Sequence, residues 1–100
     1  ALAEPVWQTS ETLREAVEWL VGQSDTDERA AGAVPFLHAF ARLLGAHFHL
    51  RAAMAEPGSP RETLARFYIN RLLPEHVGLL EHARAGAGGL YAMSLDDLAA

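Results

Sequence analysis

Five histidines are the residues of this sequence that most readily suggest chemistry, because an imidazole can bind a metal ion or transfer a proton. They are His38, His47, His49, His76 and His82. Two ligands on one helix share a face only when three or four residues separate them, whereas His47 and His49 lie two apart. The spacing disfavours a metal site, and we assign no metal-ligating residue. We expect His49 and His82 to be solvated, and His38 and His47 to be partly buried at helix or domain contacts.

The acidic residues and the serines have simpler explanations than catalysis. Glu11, Glu15 and Glu18 lie on one side of a predicted helix, where paired carboxylates could act as acid and base. Arg14 lies among them, so the spacing favours a solvated charged face. The four serines are better explained as loop or cap residues than as nucleophiles beside a base: Ser10, Ser24, Ser59 and Ser94. We therefore assign no catalytic residue.

The glycine-rich segment Gly86-Ala87-Gly88-Gly89 has the composition of a phosphate-binding loop but not its context. A phosphate loop follows a strand and carries a lysine, whereas this segment follows a predicted helix and the sequence contains no lysine. It is typical of a helix terminator, so we assign no cofactor-binding residue.

Composition bounds the remaining possibilities. The 100 residues suffice for one helical domain, but not for a catalytic domain together with a cofactor domain. The absence of cysteine excludes disulfides, thiolate zinc sites and cysteine nucleophiles, and the absence of lysine excludes Schiff-base chemistry. The net charge is −5 and the arginines are interleaved with acids, so we expect no nucleic-acid partner. No apolar run approaches the ~20 residues of a membrane span and the first residues do not resemble a signal peptide, so we expect a cytoplasmic protein.

Apolar spacing predicts three long helices and a short fourth, without a strand. The first covers about residues 4–21, and a capping box of Thr12 and Glu15 could delay its stable part until about residue 10. The second begins at a cap on Asp25 or Thr26 and reaches about residue 54. Its apolar positions, which we expect to face the core, are Val34, Leu37, Phe40, Ala41, Leu44, His47, Phe48 and Met54.

Two prolines lie inside the predicted helices. Pro35 should kink the second helix without ending it, because the apolar spacing continues across it. The third helix should begin after a cap on Ser59, with Pro60 at its first position. Pro74 should likewise kink this helix rather than end it, since the apolar spacing resumes in phase.

These elements predict one all-α domain over residues 1–100. It is an antiparallel up-down-up bundle of three long, Pro-kinked helices plus a short C-terminal helical segment. Residues 90–93 should turn back across the bundle, and Ser94 with Asp97 should cap a last helical turn through Leu98.

The predicted core cannot hold every large side chain of the sequence. We place Leu44 and Leu72 inside it, where truncation to alanine would be costly. Phe67 and Tyr68 are adjacent on one helix, so one of them should point outward. Trp7 and Trp19 should not share one helix face. Outward aromatic side chains suggest a contact surface for another domain or subunit.

Three groups of apolar residues, punctuated by proline and glycine, follow one another along the chain. The first is Ala33-Val-Pro-Phe-Leu-His-Ala-Phe-Ala-Arg-Leu-Leu-Gly45, the second combines Ala65-Arg66-Phe67-Tyr68 with Leu72-Leu73-Pro74-Glu75, and the third joins residues 86–93 to Leu95-Asp96-Asp97-Leu98. Over about residues 5–98 their order and spacing resemble the C-terminal helical extension domain of bacterial acyl-CoA dehydrogenase-like flavoproteins. The pair Phe48-His49 departs from the family, which often has smaller or Trp-containing segments there.

The resemblance implies a non-catalytic part of an FAD-dependent enzyme. The parent enzymes oxidise an acyl-CoA at its α and β carbons, using a glutamate that removes the α proton and a flavin that accepts the β hydride. Both lie in upstream domains, so no catalytic or FAD-binding residue is carried onto a position of this chain.

The resemblance also implies that the chain is a fragment of a longer flavoenzyme of fatty acid metabolism and is inactive alone. It would pack on the enzyme body and support its assembly, for instance as a homodimer. Its partners would be the rest of that enzyme and, as a further candidate, a second copy of this chain.

Two other hypotheses remain open. The surplus of aromatic residues fits a stand-alone helical module for protein interaction or dimerisation. The number of histidines alone would support a bundle that binds a metal or a small ligand.

Overall fold

The computed structural model describes residues 2–86 and 94–99, and within these ranges the chain is helical without a strand. The all-α class is therefore confirmed. The helices are α1 (Ala3–Val21), α2 (Thr26–Ala55), α3 (Pro60–Arg71), α4 (His76–Arg84) and α5 (Leu95–Ala99), with a 3₁₀ turn at Leu73–Glu75. The predicted return of residues 90–93 across the bundle lies outside the described residues.

Side-chain caps begin three of the helices where the sequence predicts them. The Asp25 carboxylate accepts a hydrogen bond from the Asp27 amide at 2.8 Å, at the start of α2. Ser59 accepts from the amide of Arg61 at the start of α3, where Pro60 occupies the first helical position. These bonds satisfy amides that have no partner within the helix.

The third capped helix is α5. The Ser94 amide donates to the Asp97 carboxylate at 3.0 Å, and the Asp97 amide donates to the Ser94 hydroxyl at 3.2 Å. This is the reciprocal arrangement of a capping box. The hydrogen bonds from Ser94 lower the pKa of Asp97 below its ordinary value, because they favour the charged carboxylate.

The capping box considered for Thr12 and Glu15 is wrong, because α1 begins seven or more residues earlier. Thr12 lies inside the helix, where its hydroxyl donates to the Gln8 carbonyl at 3.0 Å. A serine or threonine inside a helix commonly forms this bond one turn back.

The two internal prolines have different outcomes. Helix α2 continues through Pro35, as predicted. Pro74 does not merely kink the third helix, which ends at Arg71 and resumes at His76 after the 3₁₀ turn. The reason is that proline lacks an amide hydrogen and its ring collides with the carbonyl one turn earlier. The tighter 3₁₀ turn accommodates both effects, with a bond from the Glu75 amide to the Leu72 carbonyl.

The core is built around one face of α2, on which small residues recur every seven positions. The buried positions of α2 are Gly32, Ala39, Ala46 and Ala53, and we call them the inner stripe. Ala46 packs with Val6, Ile69 and Leu73 in one cluster. Ala39 belongs to a second cluster with Leu13, Ala16 and Leu80.

The inner stripe lets neighbouring helices come close to α2. A methyl group added to Gly32 would lie 2.5 Å from the Ala83 carbonyl oxygen of α4. Further along α2, Arg42 pairs with Glu75, and Gly45 lies against Tyr68 of α3. The beginning of α2 therefore contacts α4, and its later part contacts α3, so α2 runs antiparallel to the chain segment that forms α3 and α4.

The predicted core face of α2 is wrong. Val34 is 60% exposed, Leu44 is 42% exposed and Phe48 is 57% exposed. Leu72 is half-buried rather than buried. The prediction followed the large apolar residues of α2, whereas the buried face consists of glycine and alanine.

Candidate docking surface

The outward face of α2 has the pattern of a second helix-packing seam. Eight residues of α2, spaced alternately three and four positions apart from Asp27 onward, are all exposed. We call them the outer stripe. They are Asp27, Ala30, Val34, Leu37, Ala41, Leu44, Phe48 and Arg51. At 100° per residue the outer stripe lies on the side of α2 opposite to the inner stripe. Helix α2 thus carries two packing faces, of which one is covered.

An apolar groove lies between α1 and α2, borders the outer stripe and shares Leu37 and Leu44 with it. One end is a cavity of about 370 Å³ lined by Trp7, Phe40, Leu44 and His47, among others. The other end, of about 430 Å³, is lined by Val17, Val21, Phe36 and Leu37, with Arg29 at its edge. Trp7, at 65% exposure, stands at the rim of this α1–α2 groove.

A second apolar patch lies on α3. Leu64 and Phe67 are both more than half exposed, beside the loop at Gly58. Tyr68 turns inward and stacks on His49, with ring centroids 4.8 Å apart. The prediction that one of the adjacent aromatics points outward is confirmed, since Phe67 does so.

The first two helices differ in charge, since α1 is rich in acids and α2 is mostly basic. No acidic residue occurs between Glu28 and Glu56, so α2 is basic over nearly its whole length in a chain of net charge −5. Arg42 is paired with Glu75 at 2.8 Å. Arg29 and Arg51 are exposed, and neither forms an ion pair within residues 2–86 and 94–99.

The acids on α1 form the solvated face that the sequence predicts. Arg14 donates to Glu11 at 3.0 Å and to Glu18 at 2.9 Å, and all three side chains are well exposed. The hydrogen bond to Glu11, with the charges of both acids, raises the pKa of Arg14 above its ordinary value. These carboxylates are engaged in helix-surface ion pairs, which contribute little stability.

The histidines are dispersed, and three of their predicted environments need correction. His38 and His47 are exposed rather than partly buried, and His49 is half-buried against Tyr68 rather than solvated. His82 is exposed, as predicted. His76 is half-buried, with Nδ1 2.7 Å from the Leu73 carbonyl oxygen. Over the part of the chain that the structure describes, no three metal-ligating side chains come together.

Sequence reasoning missed the inner stripe, although a signal for it was present. Gly32, Ala39, Ala46 and Ala53 repeat at seven residues, the spacing that keeps one seam facing a partner helix. Because small residues contribute little to an apolar pattern, the large residues of the outer stripe dominated the periodicity.

The α1–α2 groove does not fit a flavin. The α1–α2 groove is apolar, with the single cation Arg29 at one end. Its walls are helix sides, whose amides are already bonded within the helix, so they cannot hold a pyrophosphate as a free helix N-terminus does. None of the described helices is both long and apolar enough to cross a membrane.

Comparison with known proteins yields one family. Neither the curated proteins nor the solved structures contain a significant match to the chain. A family model described as "Acetyl-CoA dehydrogenase C-terminal like" matches residues 1–94, which is nearly the whole sequence. The chain therefore belongs to this family of C-terminal domains of acyl-CoA dehydrogenase-like proteins.

Proposed function

We propose that this chain is the non-catalytic C-terminal helical domain of an FAD-dependent acyl-CoA dehydrogenase-like enzyme, where it packs on the enzyme body and supports its assembly. The flavin and the catalytic base belong to that body, and the whole enzyme is cytoplasmic. The domain is an up-down-up bundle, and the reversed order of contacts between α2 and the helices after it supports this arrangement.

The observation that carries the proposal is the exposed apolar surface of α2. A group of large apolar side chains on an exposed helix face commonly marks a protein contact, and α1, α3 and α4 cover only the inner side of α2. The chain exposes 6841 Å², whereas a compact protein of its mass exposes about 5,500 Å². Contact with further protein would bury this surplus.

The α1–α2 groove is the surface that we assign to the enzyme body. It is concave, its floor is apolar and its rim carries Trp7 and Phe40, both of which are well exposed. Large aromatic side chains in such positions commonly contribute most of the binding energy of an interface. A segment of the body that packs on the α1 side of the groove would cover both aromatic rings and leave the outer stripe accessible.

Activity of the isolated chain gives the first test. We expect the purified 100-residue chain to bind no FAD and to oxidise no acyl-CoA, because the proposal assigns both the flavin and the catalytic base to the enzyme body. Stoichiometric flavin binding with turnover of an acyl-CoA would refute the proposal. So would a reading frame that encodes no flavin-binding body together with this chain.

Docking on the body gives the second test. The chain is co-expressed with the flavin-binding body from its own reading frame, and their association is measured by co-purification. We expect Trp7→Ala and Phe40→Ala to weaken it, and Val77→Ala, a similarly exposed residue on α4, to leave it unchanged. Equal binding by all three variants would exclude the groove as the docking surface.

A second candidate is a stand-alone helical interaction module. The exposed aromatic residues Trp7, Phe40 and Phe67 favour it equally. The reading frame discriminates between the two, because an independent module would be encoded without a flavin-binding body.

A further inference from the structure

The outer stripe of α2 is complementary to itself when one copy is reversed. In an antiparallel pair of helices centred on Ala39, residues equally distant from that centre lie opposite each other. The outer stripe then forms four kinds of pair between the two copies: Asp27 with Arg51, Ala30 with Phe48, Val34 with Leu44, and Leu37 with Ala41.

Three of these pairs are favourable by charge or by size, and the fourth, Val34 with Leu44, is an apolar contact. Asp27 and Arg51 carry opposite charges and stand at the two ends of the stripe, so the reversed pairing forms an ion pair at both ends. Between them, Phe48 faces the small Ala30, and Leu37 faces the small Ala41. Alternation of large and small residues is what interdigitated helix packing requires.

A parallel pairing lacks this complementarity. It would place Asp27 beside Asp27 and Arg51 beside Arg51 of the other copy, and like charges in contact oppose association. It would also place Phe48 against Phe48 and Ala41 against Ala41, which leaves one layer crowded and another empty. The residues thus select one orientation.

We propose that the outer stripe binds the outer stripe of a second copy of this chain, as an antiparallel helix pair whose two-fold axis lies at the level of Ala39 along α2 and passes between Leu37 and Ala41. This inference rests on the assembly role proposed above and names its symmetric interface. All eight residues of the stripe are exposed, and the spacing of three and four is that of a coiled-coil seam. The two Asp27–Arg51 ion pairs favour a second copy as the partner, because a second copy presents both charges in the required order.

Charge reversal tests the pairing. Asp27→Arg and Arg51→Asp should each place like charges at both ends of the interface and weaken dimerisation about tenfold. The double variant, Asp27→Arg with Arg51→Asp, should restore it. Glu81→Arg and Arg84→Asp are the matched controls, because both residues are exposed on α4, outside the stripe. Sedimentation equilibrium over a range of concentrations measures each association, and circular dichroism verifies the fold of each variant.

Disulfide trapping tests the orientation, and the absence of native cysteine removes any background. Leu37→Cys and Ala41→Cys chains are prepared separately, mixed and oxidised. We expect crosslinks between the two variants, because Leu37 faces Ala41 of the other copy, and few crosslinks within either variant. Crosslinks only between identical positions would refute the antiparallel pairing.

The outcomes separate this inference from the proposed function. A chain that remains a monomer of 10.8 kDa at all concentrations would overturn the self-pairing and leave docking on the enzyme body intact. Failure of the double variant to dimerise, when the unmodified chain does, would also overturn it. A dimer that binds FAD and oxidises an acyl-CoA would overturn the proposed function and leave the pairing intact.

Discussion

Helices of globular proteins usually bury their large apolar side chains, whereas α2 buries its small residues and exposes its large ones. Its inner stripe is made of glycine and alanine and is buried, whereas its outer stripe carries valine, leucine and phenylalanine and is exposed. Small residues on the inner face allow close approach of α1, α3 and α4. Large residues on the outer face would fill the space between α2 and a more distant partner. This difference is the reason why we propose that α2 is the centre of a larger assembly rather than one wall of a small bundle.

Truncation of Leu73 should produce the largest effect, because this side chain fills the space above Ala46 on the inner side. Leu73 is 1% exposed and belongs to the same cluster as Ala46. Leu73→Ala should lower the free energy of unfolding by about 2–5 kcal/mol, measured by urea denaturation. Because the contact is within one chain, the loss should not depend on protein concentration. A loss below about 1 kcal/mol would show that the inner face is loosely packed.

Gly32 and Gly78 form a matched pair that tests close approach on the inner face. A methyl group on Gly32 would collide with the Ala83 carbonyl, so Gly32→Ala should destabilise the chain by about 1–3 kcal/mol. Nothing lies within 4 Å of the corresponding position on Gly78. Gly78→Ala should therefore stabilise α4 by about 0.5–1 kcal/mol, since alanine is the better helix former. If both variants were stabilised, α2 and α4 would not be in close contact.

Leu44 should respond to chain concentration, unlike Leu73. The side chain is 42% exposed within one chain, so Leu44→Ala should cost less than about 1 kcal/mol in dilute protein. In concentrated protein the cost should rise, because Leu44 then packs on Val34 of a second copy and dissociation precedes unfolding. Thermal denaturation at two protein concentrations makes the comparison. A large cost that is the same at both concentrations would restore Leu44 to the core of a single chain.

The smallest effect should come from Asp97, whose capping bonds lie within the first turn of α5. Hydrogen bonds from Ser94 hold the pKa of Asp97 below its ordinary value. The capping contribution is therefore present above the ordinary pKa of aspartate and is lost as the pH falls through the lowered pKa. The acid-dependent change should be confined to α5, and Asp97→Asn should abolish it. NMR chemical shifts of α5 recorded against pH measure the change. An unchanged titration in the variant would assign the change to another group.

Local signals in the sequence predict the ends of the helices well, because each depends on a few adjacent residues. Asp25, Ser59 and Ser94 cap helices as expected, since each side-chain oxygen satisfies an amide two or three residues away. The break at Pro74 is not predicted correctly, because apolar spacing that resumes in phase does not distinguish a kink from a 3₁₀ turn.

The side of α2 that is buried could not be predicted from the sequence of α2 alone. A helix with two packing faces presents two apolar stripes, and single-chain reasoning assigns the larger side chains to the core. The choice of the buried stripe depends on residues outside α2. Tyr68 packs against Gly45, and Leu73 packs against Ala46. The sequence predicts outward aromatic side chains, which are present, but it does not predict that Phe40 and Phe48 of α2 are among them.

The most direct test of the central claim is an intermolecular nuclear Overhauser effect between Ala30 and Phe48. Within one α2 helix these residues are about 27 Å apart, at 1.5 Å per residue, so they cannot be in contact in a single chain. In an equal mixture of isotopically labelled and unlabelled chains, we predict a cross-peak between the Ala30 methyl group and the Phe48 ring. The absence of that cross-peak in concentrated protein, while contacts between Ala46 and Leu73 persist, would contradict the account.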